Sequence, residues 1–101
     1  MRSKILLTTL LCTAAFGAYA EDPLLARSLA ATCANCHGTE GRGIGTVVAP
    51  LAGTSKEFIV TQMRLFREGK RPATIMHQLA KGYTEEQIQL IAGYLAAQPK
   101  K

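Results

Sequence analysis

The apolar residues of this chain recur with a helical period. Leu25, Leu29 and Cys33 stand four apart, on one face of a helix opened by the N-cap acid Asp22 and by Pro23 at the first helical position. Leu24, Leu25 and Leu29 are expected to pack in the core. A second helix is predicted from Thr54-x-x-Glu57, a capping box, with Phe58, Ile59, Gln62, Met63 and Phe66 along one face and Gly69 as its stop. A third follows Thr84-x-x-Gln87, another capping box, with Ile88, Ile91, Ala92 and Leu95 on one face. Between them lie a glycine-rich stretch from Gly38 to Thr54 and a short loop from Lys70 to Ile75 that contains Pro72. Residues Gln98 to Lys101 read as a frayed basic tail. No strand pattern, repeat, linker or low-complexity segment appears. The layout is all-α: one domain with three main helices and long loops.

The first twenty residues change the picture. Arg2 and Lys4 form a positive n-region, Ile5 to Phe16 is an apolar run, and Ala18-Tyr19-Ala20 is an A-x-A cleavage site. Residues 1–20 are thus expected to be a cleaved secretory leader and residues 21–101 the mature domain, periplasmic and without stable membrane insertion. The apolar run is too short for a membrane span. Cys12 lies inside it without the small preceding residue of a lipoprotein site, and is taken as a discarded hydrophobe.

Cleavage leaves 81 of the 101 residues and removes two of the twelve basic ones. Ten basic against seven acidic residues give the mature chain a net charge of +3. That favours an acidic partner surface and is too little to argue for nucleic acid. Eighty-one residues make a thin core, and such a scaffold usually needs a staple.

The staple is suggested by Cys33-Ala34-Asn35-Cys36-His37. C-x-x-C-H is the attachment motif of a c-type haem. One helical turn separates the two cysteines, so both sulfurs can reach the porphyrin vinyls and form thioethers. His37 follows as an axial ligand. C-x-x-C alone is also compatible with a redox dithiol, and Cys33, Cys36, His37 and His77 could nominally supply a zinc site. Neither fits the rest of the chain as well. The Gly41-Arg42-Gly43-Ile44-Gly45 run has the wrong spacing for a phosphate loop and no strand before it. A loop wrapped around a haem edge explains its glycines. An axial histidine needs its other ring nitrogen hydrogen-bonded, and a carbonyl near Pro50-Leu51 is the natural acceptor, with an ordinary loop proline as the alternative.

Met63, Met76 and His77 are candidates for the sixth ligand. Met63 sits in mid-helix, four residues from Ile59, and is read as core. Met76 lies in a loop, 39 residues beyond His37, far enough along the chain to reach the other haem face. A thioether is the soft partner of histidine in electron-transfer haems, which favours Met76. His77 is read as a surface or propionate-facing residue. Arg64, Arg67, Lys70 and Arg71 gather at the end of the second helix. They complement its dipole, or form a docking patch for an acidic partner.

The chain resembles the class I c-type cytochromes in Cys33-x-x-Cys36-His37-Gly38, in Pro50-Leu51-Ala52-Gly53, in Phe58-x-x-x-Gln62-Met63-x-x-Phe66-Arg67-x-Gly69-x-Arg71, in Met76 and in Ile91-Ala92-Gly93-Tyr94-Leu95. The resemblance implies a class I cytochrome c fold around one covalent haem c. It implies a Pro50 carbonyl accepting from His37, Met76 as sixth ligand, and a first helix crossing the last near Tyr94. Phe58 stands where a tyrosine is common and Met63 where a leucine is. The segment Thr74 to Thr84 is similar to the cytochrome subunit of flavocytochrome c sulfide dehydrogenase and to one half of a cytochrome c4. It implies one-electron transfer rather than enzymatic turnover. The partner would be a redox protein, a sulfide-oxidising flavoprotein in one reading and a respiratory chain served by a free carrier in the other.

Overall fold

In the computed structural model, residues 22–100 are described. The leader, its cleavage site and Cys12 lie outside the described residues. The described chain is helical: α1 (Pro23–Ala31), α2 (Ala34–His37), a 3-10 turn (Thr39–Gly41), α3 (Lys56–Arg67), α4 (Met76–Ala80) and α5 (Glu85–Ala96). Among these residues there is no strand, and no helix is long and apolar enough to cross a membrane.

Asp22 caps α1 as expected, accepting from the amides of Leu24 and Leu25. The helix does not continue to the cysteines, however. It ends at Ala31, and Cys33 becomes the residue before α2. Its buried residues are Ala26 and Ala30, while Leu24 and Leu25 face solvent, the former 73% exposed. Leu29 packs against the core as expected, but for Leu24 and Leu25 the expected leucine core is corrected to an alanine face. The reason is the crossing of α1 on α5, where Ala92 is fully buried. Small side chains let two helices approach closely, and a leucine there would hold them apart.

Helix α3 starts one residue later than the predicted capping box. Ser55, not Thr54, accepts the amide of Phe58, at 3.2 Å. Its stop is as expected. Gly69 takes φ +69°, its amide bonds the Phe66 carbonyl, and the Lys70 amide reaches back to Leu65. That is a Schellman closure. Ile59, Val60 and Met63 are buried, but Phe58 is 53% exposed and not on the core face. Helix α5 keeps its predicted capping box of Thr84 and Gln87. Ile88, Ile91, Ala92 and Leu95 on this helix form the centre of the core.

The cationic end of α3 is solvated, as expected, and its charges are also paired. Arg64 and Arg67 both pair with Glu85 at the start of α5. Lys70 pairs with Glu68, and Arg71 stacks on Phe66 at 4.8 Å while bonding Gln62. The tail is docked rather than frayed through residue 100. Gln98 donates to the Tyr94 carbonyl at 2.9 Å, and the Lys100 side chain lies across Gly53.

Candidate haem site

Residues 33–52 fold as a set of tight turns. The His37 amide bonds the Cys33 carbonyl at 2.9 Å, closing one turn that holds both cysteines. Gly38 follows with φ +84° and lies so close to Gly43 that a Cβ would stand 2.5 Å from its carbonyl oxygen. Only glycine fits there. The Gly43 amide bonds the His37 carbonyl at 2.7 Å, and the Gly41 carbonyl accepts from both Leu51 and Ala52. Tyr94 of α5 donates to Glu40 at 3.2 Å, and Arg42 pairs with the same carboxylate. This loop is built by backbone bonds.

These turns border an apolar cleft of about 410 Å³. Cys33, Cys36, His37, Val48 and Leu51 line it from the first half of the chain, and Ile59, Met63, Ile75, Met76, Leu79 and Tyr83 from the second. Ile91 and Leu95, each about 2% exposed or less, belong to its lining and to the core. The lining is largely apolar, which suits a large flat apolar group. The donor set suits an iron porphyrin: two thiols one turn apart, an imidazole and a thioether, all on one cavity.

His37 Nδ1 lies 2.7 Å from the carbonyl oxygen of Ala49. A carbonyl only accepts, so Nδ1 carries the proton and Nε2 keeps its lone pair free. The expected acceptor, the Pro50 carbonyl, is corrected to that of the preceding residue. Pro50 restricts Ala49 to extended backbone and so orients its carbonyl. The two amides after the proline are already committed to Gly41. Pro50 itself is outside the cleft lining.

Burial pushes the Cys33 thiol up, only partly opposed by a hydrogen bond from Thr32. An activated redox cysteine needs the reverse, an electropositive setting that favours thiolate. Among the described residues, no three His, Cys, Asp or Glu side chains gather as a metal site. His77 is outside the cleft lining, and its Nδ1 is buried without a partner. The dithiol and zinc readings thus have no geometric support.

Met76 lies in the cleft lining but not in a loop, since it opens the short helix α4. Five residues without a side-chain cap leave almost no periodic signal in the sequence. Met63 is in the core as expected, 8% exposed, and also lines the cleft. Its spacing of four from Ile59, another lining residue, held that signal.

No protein-family model matches the chain. It is 44% identical over 73 residues to the cytochrome subunit of sulfide dehydrogenase from Chlorobaculum tepidum, covering 72% of this chain and 66% of that one. It is 34% identical over 70 residues to cytochrome c-554(548) of Halomonas halodenitrificans, 66% of this chain and 84% of the relative. The solved cytochrome c4 of Acidithiobacillus ferrooxidans superposes with a TM-score of 0.64 at 32% identity, over 72% of this chain and 49% of that one. The chain thus spans about two-thirds of the sulfide dehydrogenase subunit and half of the cytochrome c4. Sharing its helical architecture with a cytochrome c4 and its sequence with most of a small cytochrome, it belongs to the class I c-type cytochromes.

Proposed function

We propose that this chain is a one-electron carrier holding one covalent haem c. Cys33 and Cys36 would form the thioethers, and His37 and Met76 the axial pair. The observation that carries this reading is the meeting of all four side chains on one apolar cleft. When bound, haem iron supplies reversible one-electron chemistry. The protein's residues set the conditions for it. Ala49 fixes the His37 tautomer and ring plane. Met76 contributes a neutral soft donor, which raises the potential relative to a second imidazole. Ile59, Met63, Ile91 and Leu95 keep water from the interior of the cleft. Two protein donors would leave a bound iron no open position for a substrate, which suits a carrier rather than an enzyme.

The test is a visible and near-infrared spectrum of wild type beside Met76→Leu and Met63→Leu. Only Met76→Leu should abolish the sulfur-to-iron charge-transfer band. Loss of the band in Met63→Leu alone would reverse the assignment.

The likeness to a sulfide dehydrogenase subunit supports a finer reading. In it the chain is exported to the periplasm and accepts electrons singly from the flavoprotein of a sulfide-oxidising complex. A second reading, a free periplasmic carrier, draws on the fuller coverage of cytochrome c-554(548). Purification at physiological salt separates them. A stable flavin-containing complex supports the first and a lone monomer the second.

A further inference from the structure

Helix α4 is short and weakly capped. It has five residues, no side-chain cap, and Ala80 as its buried residue. Ile75 and Leu79 beside Met76 are 54% and 45% exposed. An isolated turn of this length is not stable: α4 leans on α3 through the fully buried Ala80, and the rest of the segment is fastened at its ends. At one end Arg71 is fixed to α3 by Phe66 and Gln62. At the other stands Tyr83, three residues beyond α4 and directly before Thr84, the cap of α5.

The Tyr83 hydroxyl lies 2.8 Å from Thr32 Oγ1, across 51 residues of chain. Thr32 Oγ1 also lies 3.2 Å from the Leu29 carbonyl, and since each hydroxyl can both donate and accept, either Thr32 or Tyr83 can be the donor in the pair. Both residues line the cleft, and Thr32 directly precedes Cys33. The bond joins the segment carrying the thioether to the segment carrying the cysteines and the imidazole. We propose that Tyr83 is a positioning residue for Met76, its hydrogen bond to Thr32 holding the Met76 sulfur in place as an iron ligand. This rests on the reading of Met76 as the sixth ligand.

The test uses the ferric holoprotein. External imidazole competes with the Met76 sulfur, and loss of the sulfur-to-iron charge-transfer band is followed while far-ultraviolet circular dichroism reports helix content. Tyr83→Phe and Thr32→Val should each lose the band at about fivefold lower imidazole than wild type, the effect of one ordinary hydrogen bond. Helix content should stay unchanged. Thr32→Ser, which keeps the hydroxyl, should match wild type, and the double variant should be no worse than either single one. A wild-type midpoint in Tyr83→Phe, with the band present, would overturn this inference and leave the ligand assignment standing. Helix content falling in step with the band would reduce Tyr83 to a scaffold role and overturn it too. Absence of the band from wild type would overturn both.

Discussion

The two halves of the cleft are held by different means. Residues 33–52 are fixed by backbone: amide-to-carbonyl bonds between turns, with glycines at positive φ where the chain passes too close for a Cβ. Residues 71–83 are held by side chains: Ala80 buried against α3 in the middle, Arg71 on α3 at one end and Tyr83 on Thr32 at the other. A backbone-built loop has one geometry or none. A segment pinned by side chains can be loosened in small steps without unfolding the rest. In a two-ligand site this gives one fixed partner, His37, and one adjustable partner, Met76.

Gly38→Ala should break the comparison most severely. The new Cβ would meet the Gly43 backbone at 2.5 Å, in a conformation with φ +84°. We expect a loss of about 2 kcal/mol or more in global stability, seen as a lower denaturant midpoint with an unchanged slope. Arg71→Ala tests the other half. It removes an exposed cation–π contact and should cost only about 0.5 kcal/mol in global unfolding. Imidazole should nevertheless displace the thioether more readily. If both variants shift global stability equally, the division between the halves is wrong.

The smallest expected effect lies outside the cleft and serves as its control. Hydrogen bonding from Arg64, and then from Arg67, pulls the Glu85 carboxyl down to about 2. A carboxylate depressed in the folded state contributes stability above its unfolded value of about 4.3. That contribution is lost as the pH falls toward 2. Thermal melts of wild type and Glu85→Gln should therefore differ at neutral pH and converge in acid. The pair is surface-exposed, so the difference should shrink with added salt.

Much of this was legible in the sequence. The α5 capping box, the Gly69 stop, the C-x-x-C-H turn and the core face of α5 all depend on residues close together in the chain. The misses share one cause. Leu25 looked like core because its spacing was right, but the partner helix required alanine at the crossing. Thr54 and Ser55 are adjacent cap residues, and local sequence does not choose between them. The carbonyl that meets His37 belongs to Ala49, a residue with no side-chain signal. The pairing of Arg64 and Arg67 has no local signal, because Glu85, their counter-charge, lies about twenty residues further on. Contacts across the chain decided each of these.

Helix α1, the first described element, packs against α5, the last. A chain growing from its amino end therefore has nowhere to bury Ala26 and Ala30 until Ile91, Ala92 and Leu95 have been made. Truncation even a few residues inside α5 removes the support of the first helix together with the last.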